Sequence, residues 1–284
     1  MHRVSSFFEG RDLVIATMHG KEQAIGPLLA DALGVQICVP KAFDTDAFGT
    51  FTGEIERQGD ARAAARAKCE AALARTGCDL AVATEGSFGP HPTALFLPAH
   101  EELILLLDAR HGIEIVAIER TTETNYLSAE VRTHAELQEF ARRAHFPSHA
   151  LILRRDATSS TDLIKGITDP AHLTAVFSAL RANYGKATVE TDMRAHLNPT
   201  RMHVLRKAAT RLVDKAASTC PTCDTPGFDV SGVERGLPCR ACNTPTPSIL
   251  SYTYMCSNCS FCLDVRHPHG LTAEDPRHCP RCNP

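Results

Sequence analysis

The sequence predicts an α/β domain, a mixed sheet with flanking helices, over residues 1–217, followed by a small cysteine-organised region over residues 218–284. Three observations predict it. Short β-branched runs alternate with longer amphipathic segments through the first 217 residues; two Leu/Ile/Val-rich runs flank a DARHG connection; and four Cys-x-x-Cys pairs crowd the C-terminus.

In order along the chain, Leu13–Thr17 reads as a buried strand and Lys21–Leu33 as the helix after it, closed by Gly34. Val35–Val39 is a second strand. A Gly- and Thr-rich loop around FGTFTGE leads to an Ala/Arg-rich helix over Asp60–Arg75, capped by Asp60 and stopped by Gly77, and Cys78–Ala83 is a third strand. Leu103–Leu107 and Ile113–Ile118 form an antiparallel hairpin, which makes the sheet mixed. Thr133–Glu136 is a capping box, Asp169-Pro170 opens another helix, and Asn198-Pro199 opens a long one. On that last helix Met202, Leu205, Ala209, Leu212, Val213 and Ala216 share one face and Arg206, Lys207, Arg211 and Lys215 the other.

A Cys-x-x-Cys turn brings two thiolates within reach of one tetrahedral zinc, and two turns complete a four-cysteine site. Cys220, Cys223, Cys239, Cys242, Cys256, Cys259, Cys279 and Cys282 therefore read as the ligands of two structural zinc ions in a double zinc ribbon. Sequential pairing is expected, first turn with second and third with fourth; a nested arrangement, first with fourth, is the alternative. Cys262, His267, His269 and His278 lie close enough in sequence to substitute as ligands. The competing disulfide reading loses ground because the chain opens MHRVSSFFEGRD, with no apolar leader, so a reducing cytoplasmic setting is expected. Closed sites of this kind hold a fold together, so chemistry is sought upstream.

A chain of 284 residues with 43% hydrophobic and 22% charged residues has room for one substantial domain and a small one. Its net charge of −3 argues against a broad polyanion-binding surface, and no stretch is long enough to cross a membrane.

Three polar constellations sit at strand ends, where α/β proteins bind ligands. Thr17, His19 and Lys21 mark the exit of the first strand into a helix, an anion site or a plain capped start. Glu85, Gly86 and Ser87 follow the third strand, a cation-holding carboxylate or an exposed Gly-rich turn. Glu190, Asp192, Arg194 and His196 alternate onto one side of a late strand before Asn198 and Arg201 open the basic-faced helix. A charge-defended edge strand would look similar. Phe43, Phe48, Phe51 and Phe88 surround the expected cleft.

The run ATMHGKEQAIGPLLADALG, then FGTFTGE, DLAVATEGSFG, LILLLDARHGIEIVAIE and TRMHVLRKAA resembles the inosine/xanthosine triphosphatase family over about residues 12–217. The resemblance implies a nucleotide-binding domain that hydrolyses nucleoside triphosphates to pyrophosphate and a monophosphate with magnesium. It implies Lys21 on the phosphates, Glu85 on magnesium and Arg201 near the phosphate chain or base; Glu85, Lys21 and, from the late polar segment, Asp192 are the candidate catalytic residues. Glu54 and Asp60 are candidate second magnesium ligands, and Thr17, His19, Gly86, Ser87, Arg194 and Asn198 fill out the ligand-binding set. His19 stands where that family usually has Asn, a different donor geometry. The combination also resembles a bacterial domain-of-unknown-function family that joins such a domain to zinc ribbons. Two other classes compete with the hydrolase: a non-catalytic nucleotide- or nucleic-acid-binding protein whose ribbons touch RNA or DNA, and an interaction protein whose ribbons dock a protein partner.

Overall fold

The computed structural model describes residues 7–41, 43–45, 59–158 and 161–284, and divides into two compact units, Phe8–Val213 and a second built on Asp214–Pro284. The FGTFTGE segment, with Glu54, Phe48 and Phe51, lies outside the described residues. No helix among those described is long and apolar enough to cross a membrane.

The first unit contains a five-stranded mixed sheet in the order β2-β1-β3-β4-β5. Its strands are β1 (Asp12–Ala16), β2 (Gln36–Cys38), β3 (Leu80–Pro90), β4 (Pro98–Asp108) and β5 (Ile113–Thr121). The apolar β1 pairs in parallel with both β2 and β3, and β3-β4-β5 is an antiparallel meander. The expected hairpin is present and is the outer half of that meander. Helix α1 (Glu22–Leu33) connects β1 to β2 and ends at Gly34, whose φ of 68° is the left-handed conformation that glycine adopts without Cβ strain.

Helix α2 (Ala61–Thr76) is capped by Asp60, whose carboxylate accepts the Ala63 N–H at 2.7 Å. Small residues on its inner face, Ala65, Cys69 and Ala72, let it lie close against Ala81, Ala83, Leu103 and Leu105. At the far end of the sheet buried Arg11 donates to both oxygens of Asp108, at 2.7 and 2.8 Å, and to Asp79 at 2.8 Å, fastening the start of β1 to the end of β4.

Two expectations are corrected here. The third strand does not stop at Ala83. It runs on to Pro90 because β4 pairs with it residue for residue, Gly86 opposite Glu102 and Phe88 opposite His100, so Glu85, Gly86 and Ser87 are strand residues and not a loop. Conversely, the late strand β9 (Ala187–Thr191) ends within the expected polar alternation, after Glu190 and before Asp192. Asp192 accepts the backbone N–H of Arg194 at 3.0 Å, a side-chain turn that competes with the ladder, and Ala195–Leu197 closes into a 3-10 turn.

Strand β9 belongs to a second, antiparallel sheet that the sequence reading does not anticipate. Its order is β6-β9-β7-β8, with β6 (Ser128–Val131), β7 (Leu151–Arg154) and β8 (Ile164–Ile167). Helix α3 (His134–Arg143), with its expected capping box, and α4 (Pro170–Tyr184) supply Leu137, Phe140, Phe177 and Leu180 to its core. Helix α5 (Pro199–Ala217) follows, with Leu205, Ala209, Leu212 and Ala216 buried along the expected stripe.

In the second unit β10 (Asp229–Arg235), β11 (Ile249–Met255) and β12 (Cys262–Arg266) form a three-stranded antiparallel meander.

Candidate metal centres and a buried charged site

The four Cys-x-x-Cys segments fold into closely similar turns. In each, the backbone N–H after the second cysteine donates to the carbonyl of the first: Asp224 to Cys220, Asn243 to Cys239 and Asn283 to Cys279 at 2.9 Å, Ser260 to Cys256 at 3.1 Å. Asp224, Asn243 and Ser260 have φ near 60°, so the chain reverses sharply and both sulfurs face inward. Thr225 Oγ1 lies 3.2 Å from Cys223 Sγ. Its hydroxyl and then its backbone N–H draw that thiol down to about 6, and Thr244 does the same for Cys242.

The turns group as Cys220, Cys223, Cys256 and Cys259, and as Cys239, Cys242, Cys279 and Cys282. The pairing is interleaved, first with third and second with fourth, which corrects the sequential expectation. The strand order requires it. In a three-stranded meander, the segment before β10 and the β11–β12 connection share one end, while the β10–β11 connection and the segment after β12 share the other. Cross-turn Sγ···Sγ distances are 3.6 Å for Cys220–Cys259, Cys223–Cys256 and Cys242–Cys279, and 3.9 Å for Cys239–Cys282. Four sulfurs about 2.3 Å from a tetrahedral zinc stand about 3.8 Å apart, so both sets fit the ion, and the spacing is far too long for disulfides. Cys262 and the nearby histidines belong to neither set; Cys262 is exposed on β12 and His269 pairs with the Tyr252 hydroxyl at 3.1 Å.

In the first unit buried and half-buried charges gather on β3 and β4, met by side chains from the starts of α1 and α5 and from the middle of α2. Strand alternation sends Thr84, Gly86 and Phe88 to one face and Glu85 to the other. Lys21, from the β1–α1 turn, donates to Thr84 Oγ1 at 2.8 Å and to its carbonyl at 3.3 Å. Lys68, on the inner side of α2, forms an ion pair with Glu85, and both are buried. Arg201, in the first turn of α5, donates to Glu102 at 3.0 and 3.3 Å and to the Met193 carbonyl at 2.6 Å, with its guanidinium over the Phe88 ring. Glu102 is wholly buried and its Oε2 lies 2.7 Å from His100 Nε2.

Lys21 and Arg201 thus lie with Glu102 on one face of the sheet, and the Lys68–Glu85 pair lies on the face covered by α2. Burial pushes the Lys21 ammonium down to about 7, and the Arg201 charge adds to that effect while Glu102 opposes it. Burial alone would raise the Glu102 carboxyl; the Arg201 charge, the His100 hydrogen bond and Lys21 outweigh it and hold the group at about 2, fully ionised. Gly86 makes room for this arrangement. A Cβ there would stand 2.8 Å from Glu102 Oε2 and closer still to Arg201 Nη2.

Of the remaining sequence candidates, Thr17 and His19 stand in the turn that carries Lys21, where Thr17 Oγ1 accepts the His19 N–H at 3.3 Å. The His19 ring stacks on His196 with centroids 5.3 Å apart. Thr17, Gly20, Val39, Pro40 and Phe43 line a cavity of about 440 Å³ beside this turn. Asn198 caps α5, its Oδ1 accepting the Arg201 N–H at 3.0 Å, and so helps aim Arg201. Asp192 and Arg194 satisfy each other in an ion pair at 2.6 Å, and the Gly166 N–H completes Asp192 at 3.0 Å. Glu190 is held by Arg154.

The carboxylates do not converge on a magnesium ion among the described residues. Glu85 is committed to Lys68, Glu102 to Arg201 and His100, and Asp60 to its helix cap; Glu54 is outside them.

A family described as Domain of unknown function (DUF6671) matches residues 68–284, more than half of the chain. The chain belongs to the DUF6671 family. The matched region begins at Lys68 and includes Glu85, His100, Glu102, Arg201 and both cysteine sets, while Lys21 lies upstream of it. No match is found among curated proteins. Within this DUF6671 chain the residues that sequence reasoning passed over are Lys68, His100 and Glu102. Lys68 had one available signal: it lies on the same helical stripe as Ala65, Cys69 and Ala72, where a charge faces the core.

Proposed function

We propose that the Phe8–Val213 unit binds the phosphate chain of a nucleoside triphosphate or a related phosphoanhydride and hydrolyses it, and that the two four-cysteine sites hold structural zinc. The observation that carries this reading is the excess of positive charge on one face of β3 and β4: half-buried Lys21 and buried Arg201 against Glu102. A lysine driven toward neutrality by burial and a neighbouring guanidinium is a site short of negative charge, and a phosphate group supplies it. The position agrees, at the carboxyl ends of parallel strands and beside the N-terminus of α1, where the helix dipole favours an anion. The resemblance to inosine/xanthosine triphosphatases, which rests on Lys21, Glu85 and Arg201 among others, points to the same chemistry.

In this reading Lys21 and Arg201 neutralise the charge that grows on the phosphate oxygens as the anhydride bond breaks. Lys21, released from Thr84, and Arg201 meet the anion, and the adjoining cavity with Phe43 takes the base and sugar. Magnesium enters as the counter-ion of the triphosphate; no step here runs through it.

The sign of the pH dependence tests the reading. In the free protein Lys21 is protonated below about 7 and neutral above. A bound anion favours the ammonium, so binding takes up a proton above pH 7 and weakens as pH rises, approaching tenfold per unit for one proton linked. Titration calorimetry with sulfate, whose charge is constant from about pH 6 to 9, should show that fall, and Lys21→Met should bind more weakly with a flat profile. Sulfate affinity independent of pH in the unmodified protein would count against this site.

A further inference from the structure

His100 carries the one buried side-chain nitrogen or oxygen among the described residues that has no hydrogen-bond partner, its Nδ1. The residue is wholly buried on β4, its ring stacked on Phe88 at 4.4 Å and its other nitrogen, Nε2, 2.7 Å from Glu102 Oε2. An ionised carboxylate only accepts, so Nε2 must carry the proton. In the neutral ring Nδ1 is then a bare lone pair. A buried acceptor without a donor loses its hydration and gains nothing in return. Such a group in a native structure calls for an explanation, and a catalytic role is one.

Its surroundings are those of the charged site. Glu102, two residues along the same strand, bridges His100 to Arg201 of α5, and Arg201 in turn lies over Phe88. Lys21 acts on Glu102 from the β1–α1 turn. On β5, Thr121 is opposite His100 and Glu119 opposite Glu102, with Glu119 ion-paired to Arg211. The Tyr126 ring also packs on Phe88, with centroids 5.6 Å apart. A carboxylate that fixes one imidazole nitrogen and leaves the other as an acceptor is the arrangement by which enzymes hold a histidine as a base.

We propose that Glu102 and His100 form a base dyad for the hydrolysis, an assignment that rests on the phosphoanhydride reading above. Nδ1 takes a proton from the attacking water; the water oxygen forms the new bond to phosphorus, and the bridging P–O bond breaks, its electron pair leaving with the departing phosphate or pyrophosphate. Glu102 orients the ring and stabilises the imidazolium. His100 is the catalytic residue and Glu102 its positioning residue.

His100→Gln separates the two halves of the arrangement, because the Gln amide can still donate to Glu102 while the base at the Nδ1 position is gone. In the zinc-loaded full chain it should lower kcat by about 10²- to 10⁴-fold, the usual range for a general base, and leave KM within about twofold. ¹⁵N NMR of the histidine-labelled unmodified protein should show the Nε2–H tautomer with bare Nδ1, a readout that needs no variant. Wild-type turnover that His100→Gln retains within about threefold overturns the base and leaves the hydrolase reading standing, as does the opposite tautomer. Absence of wild-type turnover on every triphosphate overturns both.

Discussion

The Cys220→Ser/Cys256→Ser double variant should retain one zinc ion per chain, whereas Cys220→Ser/Cys239→Ser should retain none. The interleaved sets make this outcome obligatory: Cys220 and Cys256 serve one ion, and Cys220 and Cys239 serve two. Sequential pairing reverses the first result, since Cys220 and Cys256 would then damage both sites. The effect on folding should be large because each four-cysteine set ties together two turns at one end of the second unit's three-stranded sheet. Its apolar cluster is small, with Cys220, Phe228 and Cys256 buried in it and Tyr254 and Phe261 packed around. A structural zinc contributes about 10–16 kcal/mol in small zinc domains, so a chelator should unravel this region outright. Metal content by plasma spectrometry, together with loss of the β10–β12 amide protection on chelation, checks both parts.

Gly86→Ala should destabilise the first unit by about 3–5 kcal/mol, the range for breaking a buried ion pair. One methyl group there displaces the Arg201 guanidinium, and Glu102 has no solvent to turn to. The control lies three residues on. A Cβ at Gly89 in the same strand meets nothing within 4 Å, so Gly89→Ala should change stability by no more than about 0.5 kcal/mol. Urea unfolding of the two variants side by side decides the matter, and equal midpoints would show that the Arg201–Glu102 pair is not held as tightly as the geometry indicates.

The cysteine ligands were legible because a Cys-x-x-Cys turn is a local object whose spacing states its own geometry. Their pairing was not, because it depends on which ends of β10, β11 and β12 meet, and that is fixed by long-range hydrogen bonds. The same division runs through the charged site. Lys21, Glu85 and Arg201 stood out because each follows a strand or opens a helix. Lys68 was hidden among the exposed arginines of α2, whose composition reads as a solvated face, and His100 and Glu102 precede the apolar LILLL run as a polar strand start would. Only the pairing of β4 with a lengthened β3 brings them inside. The Asp192–Arg194 run misled in the opposite direction: a side chain that bonds to its own backbone ends the strand on which an alternation argument depends.

The most direct test of the proposed activity is release of pyrophosphate and phosphate from a panel of standard and deaminated nucleoside triphosphates by the zinc-loaded full chain, with and without magnesium. The account predicts release that Lys21→Met lowers by about 10²- to 10³-fold, the cost of removing one charge-stabilising donor, while the variant keeps its two zinc ions and the melting temperature of the unmodified protein. Glu85→Gln is the companion variant, since Glu85→Ala would strip Lys68 of its buried partner and confuse activity with folding. No release from any triphosphate, or release that Lys21→Met leaves untouched, would contradict the account.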